Sequence, residues 1–183
     1  MKKILITGHR GFIGKSLVKS LVKKNYELLL FTGDVTNKNE WQKYNDYEVL
    51  IHLASNADIK KSWEYPDLMT IGNFSSTLFA AENCKINNAH FIFVSSYLYG
   101  NAENYPTTEN HKLISLNPYA LSKEINEKYL KFCEKEFNMK LTILRPFNIY
   151  GPGQNIKFTI PSFINQAFQN NIIEVENFDT YRD

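Results

Sequence analysis

Tyr119 and Lys123 stand four residues apart in Asn117-Pro118-Tyr119-Ala120-Leu121-Ser122-Lys123. Pro118 suits the first turn of a helix, and the residues after it read as helical. On a helix, positions i and i+4 share a face, so the phenol and the ammonium can point into one site. A cation beside a phenol favours phenolate and lowers a pKa that is otherwise about 10. A phenol tuned in this way can carry a proton to or from a sugar or alcohol hydroxyl. The same spacing also occurs on ordinary amphipathic helices, so the pair acquires meaning only from the elements around it.

The first of those elements is Thr7-Gly8-His9-Arg10-Gly11-Phe12-Ile13-Gly14, which follows an apolar strand and opens a helix. Gly8, Gly11 and Gly14 permit a tight turn, close backbone approach to a pyrophosphate, and close packing of helix on strand. The helix N-terminus offers free N–H groups and a partial positive charge to an anion, with Phe12 and Ile13 in its first turn.

Apolar runs then alternate with helical periodicity. Strands are expected at Lys3–Thr7, Glu27–Phe31, Val49–Ala54, Phe91–Ser95 and Leu141–Arg145, with a last short one at Ile172–Val175. Helices are expected at Phe12–Lys24, Asn37–Tyr44, Asp67–Cys84, Tyr119–Phe137 and Thr159–Phe168. Such alternation implies an α/β fold, a Rossmann-like doubly wound parallel sheet with right-handed crossovers. Too few residues separate Phe31 from Val49 for both a helix and a further strand. The crossover after the second strand is therefore expected to be shortened and the usual third strand absent or vestigial.

Composition narrows the function classes. Among 183 residues, 43% are hydrophobic and 22% charged, and 21 Lys and Arg against 19 Asp and Glu leave a net charge of +2. That balance gives no reason to expect nucleic acid as a partner. No apolar run approaches the roughly 20 residues of a membrane span, and the N-terminus lacks signal-peptide character. Cys84 and Cys133 lie far apart in helix-like stretches and read as buried, reduced thiols. His9, His52, His90 and His111 show no ligand spacing, so no metal site is assigned. A cytoplasmic protein is expected.

With these motifs in place, the whole chain resembles the extended short-chain dehydrogenase/reductase family, whose members are NAD(P)-dependent epimerases, dehydratases and reductases acting mostly on nucleotide sugars. The resemblance rests on five motifs in order. They are Thr7 to Gly14, Ile51-His52-Leu53-Ala54, Ser95-Ser96-Tyr97-Leu98-Tyr99-Gly100, Asn117 to Lys123, and Leu144-Arg145-Pro146-Phe147-Asn148-Ile149-Tyr150-Gly151-Pro152. It implies that Tyr119 is the acid/base, and that Lys123 orients the nicotinamide ribose and lowers the Tyr119 pKa. It also implies that Ser95 holds the substrate oxygen, with Ser96 as its alternative. The usual dehydratases of the family carry Asp-Glu directly after that Ser, where this chain has Ser96 and Tyr97, which argues against dehydration. Tyr97 stands where some relatives keep a second acid/base group, and an aromatic wall is the equal alternative. By the same resemblance Asn148 contacts substrate, Pro146 and Phe147 line the nicotinamide pocket, and Leu53 and Ala54 border the cofactor, with Asn56 nearby. The function implied is epimerisation, or epimerisation with reduction, of a nucleotide sugar. A dinucleotide-binding module without catalysis and a reductase of a non-sugar carbonyl are the alternatives.

NAD-dependent members place an acid at the end of the second strand to accept hydrogen bonds from the ribose. Here that position falls at or near Thr32. Asp34 and Val35 resemble the pair that contacts adenine, and Arg10 could clamp a 2′-phosphate, as in the similar turn of GDP-fucose synthases. NADP is accordingly favoured over NAD. Tyr181-Arg182-Asp183 resembles the motif that leads into the family's smaller substrate domain. The expectation is a C-terminally truncated chain, with a dinucleotide-binding domain over 1–170 and the start of a substrate-binding region over 171–183. Such a fragment would bind dinucleotide yet turn over slowly or not at all. Relatives pair through the helices matching Asp67–Cys84 and Tyr119–Phe137, so a homodimer is expected, with Leu78, Phe79, Tyr129 and Phe132 as its apolar stripe.

Overall fold

The computed structural model describes residues 2–100, 106–170 and 172–175. Its elements run β1 (Lys3–Thr7), α1 (Phe12–Lys23), β2 (Glu27–Leu30), α2 (Lys38–Trp41), β3 (Val49–His52), α3 (Ile59–Glu64), α4 (Pro66–Ile86), β4 (His90–Val94), α5 (Pro118–Phe137), β5 (Lys140–Leu144) and α6 (Thr159–Asn170). The chain divides into two compact units, Met1–Pro146 and Phe147–Asp183.

In the first unit five strands form one parallel sheet in the order β2-β1-β3-β4-β5. The register aligns Ile6 with Leu30 and Ile51, Ile51 with Ile92, and Ile92 with Thr142. Strands buried on both faces must be apolar nearly throughout, and Leu5, Leu50, Phe91 and Phe93 are each 0% exposed.

The shortened crossover is present, and its physical reason is aromatic packing. Between β2 and β3 the chain makes only the four-residue α2. Phe31 lies with its ring centroid 4.4 Å from Trp41 and 4.6 Å from Tyr44. Trp41 donates from Nε1 to the Val35 carbonyl at 3.0 Å. Asn83 of α4 donates to the Trp41 and Tyr44 carbonyls at 3.0 and 3.2 Å and accepts from the Tyr47 hydroxyl. The aromatic cluster thus occupies the flank of β2 with its loose backbone carbonyls satisfied.

Two features depart from the sequence expectations. Helix α3 is not among the expected elements, because six residues carry too little periodicity to read. Asp58 caps it by accepting from Lys61 N at 3.0 Å, and it stops at Tyr65, the residue before Pro66, where helical geometry is disfavoured. Conversely, Ile172–Val175 forms no strand. The Glu174 N–H donates to the Gln166 side-chain oxygen at 2.8 Å instead of entering a ladder, and Ile172 and Ile173 are exposed. The Tyr181-Arg182-Asp183 motif lies outside the described residues.

The two ends of the parallel sheet differ in character. At the C-terminal ends of the strands lie Gly8, Leu53–Ala54, Ser95 and Arg145–Pro146. At the opposite end lie Asn25, Asp46, Asn88 and Asn138, left-handed at φ 59, 60, 50 and 53°, each shortly before a strand begins.

Candidate active site

The glycine turn is built for backbone approach. Gly8 is left-handed at φ +68°, and a β-carbon there would lie 2.7 Å from Ala54 N and 2.8 Å from Leu53 C. Gly11 N–H donates to the Gly8 carbonyl at 3.0 Å. A β-carbon on Gly14 would sit 2.6 Å from His9 Cα. Gly11 caps α1 without a side-chain hydrogen bond, and no acid sits in the first turn, which contains Phe12 and Ile13. The helix therefore presents its first N–H groups unspent by any side chain, the arrangement that receives an anion. Arg10 is exposed beside it. His9 is held below the usual histidine pKa, first by burial and then by the Arg10 guanidinium.

Thr7 joins this turn to the next strand end. Its hydroxyl accepts from Ala54 N–H at 3.1 Å and lies 2.8 Å from His52 Nδ1, while His52 Nε2 lies 3.1 Å from Ser76 Oγ. Burial pushes His52 down to about 3, so the ring is neutral at pH 7. A neutral imidazole carries one N–H, so one of these two ring contacts has the ring as donor and the other has it as acceptor. Asn73 of α4 extends the scaffold. It accepts from Asn56 N–H at 2.9 Å and Ser55 Oγ at 3.1 Å, and donates to Ser122 Oγ at 3.0 Å on α5.

Helix α5 begins where sequence reasoning placed it. Asn117 caps it by accepting from Ala120 N at 2.8 Å, and Pro118 occupies the first turn. Tyr119 is half-buried and Lys123 is 3% exposed. Lys123 Nζ donates to the Val94 carbonyl at 2.9 Å and lies 4.8 Å from the Phe93 ring and 6.0 Å from the Tyr119 ring. Burial brings Lys123 down to about 7, against which the Glu127 carboxylate acts. The phenol does not follow the sequence expectation. Burial raises the Tyr119 pKa, and the opposing influence is a hydrogen bond with the Ser96 side chain, not the lysine. The ammonium is committed to a backbone carbonyl and is itself desolvated, so it does little to stabilise a phenolate in this state.

The two serines separate here. Ser96 is the side chain that acts on the Tyr119 phenol, holding its pKa down against burial. Ser95 is 4% exposed, its N–H donates to the Leu144 carbonyl at 2.8 Å, and its Oγ has no hydrogen-bond partner. A buried hydroxyl without a partner costs free energy, which a substrate oxygen at that position would recover. Tyr97 packs edge-on to Tyr99 at 5.5 Å.

The remaining candidates are less concentrated. Asp34 is exposed, its carboxylate accepting from Thr36 N at 2.8 Å and Thr36 Oγ1 at 2.7 Å. Thr32 N–H donates to the Tyr44 hydroxyl at 2.9 Å, so the end of β2 carries no acid. Val35 packs against the core, Leu53 and Ala54 back the glycine turn, and Pro146 is half-buried after β5. Asn148 belongs to the second unit and is exposed there. Sequence reasoning missed Asn73, Glu127 and Arg145. Glu127 stands four residues after Lys123, a spacing that could have drawn attention to it.

Against known proteins, the family model described as NAD dependent epimerase/dehydratase family matches residues 4–183. The dTDP-4-dehydro-6-deoxyglucose reductase of Escherichia coli is 31% identical over 89% of this chain and 61% of its own length. Among solved structures, RMD from Pseudomonas aeruginosa complexed with NADPH superposes with a TM-score of 0.90 at 28% identity, covering 100% of this chain and 67% of that one. The UDP-glucose 4-epimerase of Thermus thermophilus, in complex with NAD, gives 0.79 at 26% identity, covering 84% and 58%. The chain spans about half to two thirds of the length of the curated relatives it matches. With a glycine turn at β1, a tyrosine and lysine on α5 and a match over nearly its full extent, the chain belongs to the NAD dependent epimerase/dehydratase family.

Proposed function

We propose that this chain is the dinucleotide-binding, catalytic-residue-bearing part of an NAD(P)-dependent nucleotide-sugar epimerase or epimerase-reductase. The observation that carries the reading is the cluster at the C-terminal end of β4. There Lys123 is held at the Val94 carbonyl, Ser95 Oγ is buried without a partner, and the Ser96 side chain acts on the Tyr119 phenol. The related reductase and the NAD-bound epimerase support a nucleotide sugar as substrate.

The turn from Gly8 to Gly14 fits a pyrophosphate, since the α1 amides are open and Gly8 and Gly14 leave room only for backbone. Asp34, Val35, Leu53, Ala54 and Pro146 flank the rest of a dinucleotide, and Lys123 would hold its nicotinamide ribose. A nicotinamide bound there supplies or accepts the hydride. Tyr119 moves the proton of the reacting hydroxyl, Ser95 and Ser96 orient that oxygen, and Tyr97 and Asn148 contact the sugar nucleotide. The raised pKa of Tyr119 reflects its present surroundings, and occupancy of the site changes both charge and solvation there.

NADP is the preferred dinucleotide in this reading. Arg10 makes no ion pair among the described residues, Thr32 rather than an acid follows β2, and the Asp34 carboxylate is already engaged by Thr36. The protein is further proposed to be a cytoplasmic homodimer. Cys84 and Cys133 are free and buried, in keeping with a reducing compartment, and no helix among the described residues is long and apolar enough to cross a membrane.

The test is calorimetric and kinetic. Titration with NADP should give tighter binding than NAD, and the reverse order overturns the cofactor preference. In the intact protein, with UDP- and dTDP-hexoses, Tyr119→Phe should cut turnover by at least about 100-fold with dinucleotide affinity unchanged. Retained turnover would remove Tyr119 from the chemistry.

A further inference from the structure

Glu127 is a carboxylate at 1% exposure, one helical turn beyond Lys123 and on the same face of α5. Its charge is met by Arg145, the residue after β5. Arg145 Nε donates to Glu127 Oε1 at 2.9 Å and Oε2 at 3.2 Å, and Nη2 donates to Oε2 at 2.6 Å. The remaining guanidinium nitrogen, Nη1, donates to the Tyr99 hydroxyl at 2.9 Å and to the Glu109 carbonyl at 3.2 Å. The Arg145 guanidinium carbon also lies 5.4 Å from the Tyr99 ring centroid. One side chain therefore ties together α5, the end of β5, and the Ser95–Tyr99 segment that carries both candidate serines.

A forked pair of this kind is expensive to desolvate, and a hydrophobic replacement of the same volume is often as stable. Its position beside Lys123 offers a reason beyond stability. Lys123 is surrounded by Tyr119 and Glu127 on its own helix, by the Val94 carbonyl and Phe93 ring of β4, and by His52 of β3, which burial keeps neutral. Glu127 is the acid that acts on it, and that acid is ion-paired with Arg145.

We infer that Glu127 and Arg145 are positioning residues of the candidate site. They form a buried ion pair that sets the charge balance around Lys123 and, through Tyr99, braces the segment that bears Ser95 and Ser96. The inference rests on the reading of Tyr119 and Lys123 as the site.

The two halves of the pair carry opposite charges, so a pair that sets the charge balance at Lys123 shifts its titration in opposite directions when each half is removed, whereas a pair that only braces the fold leaves it in place. Removing the acid leaves Arg145 as an uncompensated cation and disfavours the ammonium. Removing the guanidinium frees the acid for Lys123 and favours the ammonium. The experiment is an NMR titration of Lys123 in 15N- and 13C-lysine-labelled chain, the resonance assigned with Lys123→Arg, alongside urea unfolding of each variant. Glu127→Gln, which keeps the shape and one acceptor oxygen while removing the charge, should move the Lys123 midpoint down by about one pH unit, and Arg145→Gln should move it up by a similar amount. Arg145→Lys should return it toward wild type by restoring the charge. Tyr99→Phe, a milder change that removes only the hydroxyl, should leave the Lys123 midpoint in place while raising the exchange rate of the Ser95 amide. Shifts of the same sign in Glu127→Gln and Arg145→Gln, or no shift in either, overturn the inference, whatever the loss of stability. The titration needs no substrate. Opposite shifts together with full activity of Tyr119→Phe would leave the electrostatic pair standing and remove the catalytic reading instead.

Discussion

Lys123 is a destabilising residue in a well-packed place. A lysine titrates near 10.4 in an unfolded chain, and burial brings this one to about 7 in the fold. Between those values the unfolded chain binds more proton, so stability rises with pH through that window and falls as pH drops toward 7. Lys123→Met should therefore stabilise the chain at pH 7 by at least about 1 kcal/mol, a rise of about 2–4 °C in Tm, and flatten the dependence of stability on pH between 7 and 10. Thermal unfolding of both proteins across that range decides it; a lower Tm for Lys123→Met at pH 7 would show that the Val94 contact outweighs the desolvation. The Tyr119–Lys123 pair was legible because helical spacing is written in residue numbers. The influence of Ser96, rather than Ser95, on Tyr119 was not, since both serines follow a strand end and only the local backbone decides where each hydroxyl goes. Nor was the direction of the Tyr119 pKa, which depends on where the Lys123 ammonium goes and on how much water the site excludes.

At the level of elements, the glycine turn is specified by close contacts more than by flexibility. Gly14 is buried, on the first turn of α1, with the Gly8 carbonyl and His9 backbone where a β-carbon would sit. Gly14→Ala must push α1 away from β1. It should lower unfolding stability by about 1–3 kcal/mol and weaken dinucleotide binding more than tenfold, because the α1 amides move with the helix. Calorimetry on folded Gly14→Ala is the check, and unchanged affinity would place the anion elsewhere. The shortened crossover could be read from chain length alone, since too few residues join Phe31 to Val49. What fills its flank could not, because the Phe31, Trp41 and Tyr44 cluster and its clamp by Asn83 join residues up to 42 positions apart. The expected strand at Ile172–Val175 shows the limit of an apolar run, for β-branched residues form a strand only where a neighbour supplies a ladder.

For the molecule as a whole, the surface formed by α4 and α5 is where self-association would leave its mark. Leu78, Tyr129, Cys133 and Phe137 line a cavity of about 290 Å³ between these helices, and Phe132 is 53% exposed beside it. Phe79 and Tyr129, expected on the apolar stripe, pack partly against the core, so the outward contribution narrows toward Leu78, Phe132 and Phe137. Phe132→Glu should convert a dimer to monomer in sedimentation velocity without changing the far-ultraviolet circular dichroism. A wild-type chain that sediments as a monomer would end the dimer proposal. The opposite ends of the sheet carry a different consequence. Asn25, Asn88 and Asn138 turn the chain from helix to strand in left-handed geometry, and all stand away from the strand ends that bear Gly8, Ser95 and Pro146. Glycine adopts that geometry without strain. Replacing all three with glycine should add roughly 1–2 kcal/mol, read as a higher urea midpoint, with dinucleotide affinity unchanged. Robustness can therefore be engineered at the rear of this scaffold, independently of whatever chemistry evolution or design installs at the front.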